Sequence, residues 1–250
     1  MQINYDHSVD PQTLKGSTAA LARIFSGATP TSLLDVGCGV GTWLKAAADR
    51  GVIDIFGIDG INIPREKLLI PPENFACYDL TVPVDLGRRF EKAICLEVGE
   101  HLNDAASRVL IGTLTRHSDA VIFSAACPGQ PGQHHVNCQW PDYWQQLFNA
   151  AGFVCEDTLR ATLWDDPQIE YWYKQNIFVA CRDAQAGKEA RIKAILHPET
   201  QAFLAKPVPS FEDHVAQIEN GRMTIGWYVK TPPRALLRKI RRGFFKSASQ

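Results

Sequence analysis

The sequence predicts an α/β domain with a mainly parallel, doubly wound sheet, helices on both faces and an antiparallel edge. Three observations carry this. Short apolar runs alternate with segments of helical spacing. The first strand-like run ends in clustered glycines that open a helix. Two final runs follow each other without a convincing helix between them, which suits an antiparallel edge. Taken in order, residues 13–26 carry Leu14, Ala19, Leu21, Ala22 and Phe25 at loosely helical spacing, and Pro30 closes that segment. Ser32 to Val36 predicts a buried strand, Gly41 to Arg50 a helix, Val52 to Ile58 a second strand ending in Asp59, and Phe75 to Tyr78 a weak third. Ala93 to Val98 predicts a strong strand. His101 to His117 predicts a helix with Leu102, Ala105, Val109, Leu110 and Leu114 on one face. Ala120 to Ser124 reads as a strand, Pro141 to Ala151 as a helix ended by Gly152, and Phe153 to Leu159 and Asn176 to Arg182 as the last two strands. The alternation stops at Asp183. The chain therefore divides into an N-terminal helical segment (1–29), the main domain (30–182), a polar, partly helical appendage (183–231) and a basic tail (232–250).

The 250 residues suit one large domain with appendages. With 45% apolar and 21% charged residues the chain can bury a sizeable core, which excludes wholesale disorder. No run approaches the ~18–20 apolar residues of a membrane span. The opening MQINYDHSVD shows neither the basic nor the apolar part of a secretory leader. The seven cysteines are odd in number and form no C-x-x-C pair. Cys95, Cys155 and Cys181 sit in apolar runs, so buried thiols and a cytoplasmic location are expected. The net charge of −1 hides an asymmetry: Arg222 to Gln250 holds eight basic residues and no acidic one, leaving 18 basic against 27 acidic elsewhere, a net of −9. An acidic body argues against a general nucleic-acid-binding surface. In the tail, Leu236, Leu237, Ile240 and Phe244 gather on one helical face, with Arg238, Arg241 and Arg242 mainly on the other. That pattern fits a solvated tail, a helix docked on the acidic body, peripheral contact with an anionic inner-membrane face, or RNA.

The most informative stretch is Leu33-Leu34-Asp35-Val36-Gly37-Cys38-Gly39-Val40-Gly41-Thr42. Glycines recur at every second position after an apolar strand, at the switch point where ligands bind in such sheets. This is not the G-x-G-x-x-G of dinucleotide sites, in which a pyrophosphate meets a helix N-terminus. A nucleotide-dependent oxidoreductase is thereby disfavoured. Asp59, about 20 residues further on at a strand end, stands where a ribose diol is held. Asp79 ends the third strand and is placed either to accept from an adenine amino group or to cap a loop.

On Asp35 to Gly41, Asp59, Asp79 and the strand Ile94-Cys95-Leu96-Glu97-Val98 with Glu100-His101-Leu102, the chain resembles the class I S-adenosylmethionine (SAM)-dependent methyltransferases over residues 30–182. It is similar in particular to bacterial methyltransferase-domain proteins sharing Phe123-Ser124-Ala125-Ala126, His135-Val136-Asn137 and Gln139-Trp140-Pro141-Asp142-Tyr143-Trp144. The resemblance implies a Rossmann-like, seven-stranded sheet and SAM as methyl donor. The cofactor contacts it implies are Asp35, Gly37, Cys38, Gly39, Gly41, Asp59 with Gly60, Asp79 with Leu80, and Glu97.

Glu97-Val98-Gly99-Glu100-His101 forms E-x-x-E-H at the carboxyl end of the fourth predicted strand, and His134-His135 follows the fifth on the same sheet edge. Two carboxylates and two imidazoles there suit a divalent ion: Mg²⁺ with substrate and water completing its shell, or Mn²⁺ or Zn²⁺. A similar arrangement occurs in ubiquinone-pathway O-methyltransferases and small-RNA terminal 2′-O-methyltransferases, which implies Glu97, Glu100, His101 and one of the pair, His135 or His134, as ligands. The metal-free reading makes His101, His134 or His135 the general base. Pro128 to Gly132 reads as a loop over the site. Trp140, Tyr143, Trp144, Trp164, Trp172 and Tyr173 serve either as core or as an apolar wall for an acceptor. Cys38 and Cys77 have no base near them in sequence. The leading expectation is O-methylation of a sugar hydroxyl or other small diol. The rivals are methylation of RNA ends or another macromolecule, and SAM binding without catalysis.

Overall fold

A computed structural model describes residues 13–205. The segments 1–12 and 206–250, with the predicted basic tail and most of the appendage, lie outside the described residues. The strands are β1 (Ser32–Val36), β2 (Asp54–Asp59), β3 (Phe75–Cys77), β4 (Lys92–Leu96), β5 (Ala120–Ser124), β6 (Phe153–Glu156) and β7 (Phe178–Arg182). They form one seven-stranded sheet in the order β3-β2-β1-β4-β5-β7-β6. The pairs from β3 to β5 are parallel, and β7 runs antiparallel to both β5 and β6. The Rossmann-like sheet with an antiparallel edge is the architecture that the alternation predicts. β1, β4 and β5 are buried along nearly their whole length, as parallel strands covered on both faces must be.

The helices are α1 (Leu14–Ile24), α2 (Thr42–Asp49), α3 (Asp104–His117), α4 (Pro141–Ala150), α5 (Thr158–Leu163), α6 (Tyr171–Asn176) and α7 (Pro198–Leu204). One core layer joins β1, β4 and β5 to α3 and α4 through Leu34, Cys95, Leu110, Phe123, Trp144 and Phe148. The other joins the opposite face to α1, α2, α5 and α6 through Leu21, Trp43, Leu44, Ile94, Leu163 and Tyr173. Thr13 caps α1 by accepting from the N–H of Gly16, and Asn103 caps α3 by accepting from Ala106 at 2.9 Å.

Three segments depart from the sequence reading. β4 stops at Leu96, because Glu97 takes a left-handed backbone, φ 57°, that no strand accommodates. His101 then lies in a 3₁₀ turn, Gly99–His101, before α3 begins at Asp104. The predicted strand through Leu159 ends at Glu156, and two six-residue helices, α5 and α6, connect β6 to β7. Helices that short barely complete two turns, so their apolar residues show no period. Cys181, expected to be buried, is exposed on β7; Cys95 and Cys155 are buried, and all seven cysteines are free. Among the described residues no helix is long and apolar enough to cross a membrane.

Residues 187–204 are fastened to the domain by polar side chains. Glu189 accepts from Gln145 Nε2 (3.1 Å), Asn149 Nδ2 (2.6 Å) and the Cys155 N–H (3.0 Å). Gln175, fully buried, donates to the Ile195 carbonyl at 2.5 Å and accepts from the His197 N–H at 2.6 Å. Lys174, 1% exposed, pairs with Glu199 at 2.7 Å. Glu189→Ala removes the acceptor of the Cys155 and Gly187 N–H groups, while Gln145 and Asn149 keep the Ala190 and Phe153 carbonyls. A loss of about 1–3 kcal/mol is expected, read as a lower urea midpoint at unchanged slope.

Candidate functional site

The turn between β1 and α2 is pinned to the end of β2. The N–H groups of Gly37 and Cys38 both donate to the Ile58 carbonyl, at 2.7 and 3.1 Å. The Gly39 N–H donates to Asp59 Oδ2 at 2.7 Å, and Ile61 N–H to Oδ1 at 2.8 Å. Gly37, Gly39 and Gly41 have φ of 82°, 52° and 86°, the left-handed region that side chains disfavour. A Cβ on Gly37 would also stand 2.3 Å from a methyl of Val98. Asp35 is buried beneath the turn with Oδ2 lacking a hydrogen bond, and burial, reinforced by Asp59, holds its carboxyl well above the ordinary range. Beside Asp59 the backbone at Gly60 is open: the nearest atom to a Cβ there is the Tyr78 carbonyl, at 3.9 Å.

The outer sequence-predicted contacts are less committed. Asp79 is exposed, and its Oδ1 accepts from both the N–H and the hydroxyl of Thr81, the loop-capping arrangement. Leu80 is buried. Cys38 is buried, and enclosure pushes its thiol well up, so it has no nucleophilic character.

Across the sheet, the structure brings Glu100, His101 and His135 together. One ligating atom from each lies within 4.8 Å of the others. The Glu100 side chain is fully buried and neither carboxylate oxygen has a hydrogen-bond partner. His135 Nε2 lies 4.0 Å from Glu100 Oε1. Its Nδ1 is 3.0 Å from the Gln130 carbonyl, which fixes the proton on Nδ1 and leaves the Nε2 lone pair facing Glu100. Gly132 makes room for this ring, since a Cβ there would fall 2.0 Å from Nε2. Burial raises Glu100, with Glu97 adding to the effect. Burial lowers His101 to about 4, assisted by His135, and lowers His135 also.

Two of the predicted members are placed elsewhere. His134 is exposed and stands outside the group: a left-handed backbone (φ 53°) separates its direction from that of its neighbour. Glu97 lies close to Glu100, but its carboxylate is turned to Gln130 Nε2 (2.7 Å) and Asn176 Nδ2 (3.2 Å). Gln130 and Asn176 carry no motif, and the sequence reading missed them. Four of the six aromatic residues predicted as an acceptor wall are otherwise occupied. Trp144 is core against Phe123, Tyr173 packs edge-on to Trp43, Trp164 lies against His197, and Tyr143 donates to Asp104 at 2.6 Å.

Residues 6–124 match the family model described as a methyltransferase domain. No curated protein matches the chain. Among solved structures it is similar to the sugar N-methyltransferase KedS8 from Streptoalloteichus sp ATCC 53650, with 18% identity, 68% of this chain and 88% of that chain covered, and a TM-score of 0.53. It is also similar to SAM-bound CalS10, an amino pentose methyltransferase from Micromonospora echinaspora (17%, 69% and 93%, TM-score 0.51). A third is the plantazolicin methyltransferase BpumL with S-adenosylhomocysteine (16%, 72% and 89%, TM-score 0.50). At such identities the likeness is one of fold. The donor site here fits SAM: a glycine turn closed by backbone bonds, a carboxylate anchored at a strand end, and open backbone beside it. Asp59→Ala would release the Gly39 and Ile61 N–H groups and remove the carboxylate expected to hold the ribose diol. Affinity for S-adenosylhomocysteine, measured by calorimetry, is expected to fall about 10–100-fold with the fold retained.

Proposed function

We propose that this SAM-dependent methyltransferase transfers its methyl group to the oxygen of a sugar hydroxyl or other small diol, with Glu100, His101 and His135 acting on that hydroxyl. In the transfer the oxygen lone pair takes the methyl, the C–S bond breaks, and its electron pair stays on sulfur as S-adenosylhomocysteine. The proton of the hydroxyl must leave. The SAM sulfonium already makes the methyl electrophilic, so the enzyme's task is alignment and removal of that proton.

One observation supports the reading above the others. A fully buried carboxylate with two unpartnered oxygens faces two imidazoles, at the strand end next to the donor turn. Leaving such a group unpaired costs several kcal/mol, so the arrangement asks for a cation or a proton. The donor set, one carboxylate and two neutral imidazoles, fits Mn²⁺ and, with water and substrate oxygens completing the shell, Mg²⁺. Such an ion lowers the pKa of a bound hydroxyl and offsets the charge of the forming alkoxide. The chain's own residues prepare for it. His101, held to about 4, is uncharged at neutral pH and is a poor base for a hydroxyl but a ready ligand. His135 is fixed in the tautomer that presents Nε2 by its bond to Gln130. Without an ion, His135 Nε2 is the group placed to accept the proton.

The test is methyl transfer from tritiated SAM to extracted glycans and simple polyols, with products separated into O-methyl ethers and N-methylamines. Label is expected in O-methyl ethers. Chelation should suppress turnover and added Mg²⁺ or Mn²⁺ should restore it. Glu100→Ala should cost at least about 100-fold in kcat/KM while calorimetry shows S-adenosylhomocysteine binding unchanged. Full turnover by metal-stripped protein in chelator would remove the ion from the account and leave His135 as base. Label confined to amines would overturn the hydroxyl acceptor.

A further inference from the structure

Beside this cluster, and coupled to it through Glu100, lies a second polar group. Glu97 ends β4 with φ 57°, a conformation that costs an ordinary side chain roughly 1 kcal/mol or more. It is held there from three sides. Its N–H donates to the Ser124 carbonyl at 2.9 Å, Gln130 Nε2 donates to Oε2 at 2.7 Å, and Asn176 Nδ2 donates to Oε1 at 3.2 Å. Asn176 Nδ2 also donates to Gln130 Oε1 at 2.9 Å, closing the triangle. Gln130 and Asn176 are 8% and 2% exposed, whereas Glu97 is only partly buried. The three residues come from the end of β4, the β5–α4 loop and the end of α6. They meet at the carboxyl end of β4, the strand next to β1 and its glycine turn.

When Glu97 is ionised, the positions left over in this group accept hydrogen bonds. A carboxylate has about four lone-pair positions, and the two amides do not use them all. Asn176 Oδ1 is buried with no partner. Among the described residues no Lys or Arg pairs with Glu97. Tyr171 opens α6, the helix that ends in Asn176, and burial with the charge of Glu97 raises its hydroxyl above the ordinary range. The Tyr171 ring stacks on Phe203 of α7 with centroids 5.4 Å apart, and both residues are partly exposed. A floor that only accepts, next to an aromatic wall, matches a ligand with several O–H donors and an apolar C–H face.

We infer that Glu97, held by the positioning residues Gln130 and Asn176 and flanked by Tyr171 and Phe203, is the acceptor-recognition subsite and selects a saturated ring bearing adjacent hydroxyls. The inference rests on the reading of the reaction as O-methylation of a small diol, and it adds the residues that choose the ring. It also moves Glu97 from the cofactor and metal sets, where the sequence placed it, to the acceptor.

The test is saturation-transfer NMR on the full chain saturated with S-adenosylhomocysteine and Mg²⁺. The probes are myo-inositol and methyl α-D-mannopyranoside, with trans-1,2-diaminocyclohexane as a cationic ring of similar size. Both polyols are expected to receive saturation, and the diamine is the control for a site that merely attracts positive charge. Glu97→Ala, Asn176→Ala and Tyr171→Ala should each weaken polyol binding by at least about fivefold, with S-adenosylhomocysteine affinity within about twofold of the wild type. Tyr171→Phe, which keeps the ring, should retain binding, and it keeps the test open where a truncation fails to fold. Loss of S-adenosylhomocysteine affinity in Glu97→Ala makes Glu97 a cofactor contact and overturns the inference. So does equal polyol binding by all variants, binding of the diamine alone, or binding of no probe. Polyol binding that depends on Glu97 without O-methyl product sustains the subsite and fails only the proposed reaction.

Discussion

The structure depends on the closure of the β1–α2 turn against the end of β2. Two N–H groups share the Ile58 carbonyl and a third reaches Asp59, so three consecutive residues are tied to the neighbouring strand. Only glycines allow this. The backbone must enter the left-handed region three times within five residues, and Val98 of the β4 end packs where a side chain on Gly37 would be. The turn thereby fixes where α2 starts, where the open backbone beside Asp59 lies, and how near the β4 end comes to the donor site. Donor and acceptor chemistry meet at Val98 because the glycine beneath it has no side chain.

The same junction accounts for the electrostatics. Asp35 and Glu100 are buried and Glu97 partly buried, all at or near the carboxyl ends of central strands and without a Lys or Arg partner among the described residues. Burial pushes Glu97 up to about 7 and Glu100 and Asp35 further above their usual range, while His101 falls to about 4. A core built for stability alone would replace these groups with apolar ones, since burying unpaired acids costs more than it returns. Their cluster at one edge of the sheet is intelligible as a place prepared for positive charge or for O–H donors brought by ligands.

Most of the fold was legible because its signals are local. The β1 and β5 strands were read to the residue from continuous apolar runs, and α4 to within one residue from Pro141 and Gly152. Where the reading failed, the cause lay outside the segment itself. β4 continues as an apolar pattern through Val98, yet it ends at Leu96 because contacts from Ser124, Gln130 and Asn176 hold Glu97 in a conformation its own sequence does not prefer. The short helices α5 and α6 were hidden for a related reason. Their stability comes from packing on α1 and α2 and from Arg160, which reaches the Lys193 carbonyl at 2.8 Å, rather than from local propensity.

The site divides along the same line. The donor half is contiguous: residues 35–41 and 59–60 are joined by one β-α-β unit, so spacing alone indicates which atoms converge. The proposed acceptor half draws on residues 97–101, 130–135, 171–176 and 203, separated by up to about a hundred positions. No spacing rule links a glutamine in one loop to an asparagine at the end of a helix. His134 and His135 illustrate the limit, because a sequence motif treats adjacent residues as equivalent and only His135 joins Glu100 and His101 in the structure. Gln130 serves both halves of the acceptor side: its carbonyl sets the His135 tautomer and its amide holds Glu97. A displacement of this one loop would therefore disturb the proton-handling cluster and the recognition subsite together. This gives a physical reason for the Pro128–Gly132 stretch to be rich in residues that restrict or permit particular turns, and for Gly132 to leave space that the His135 ring occupies.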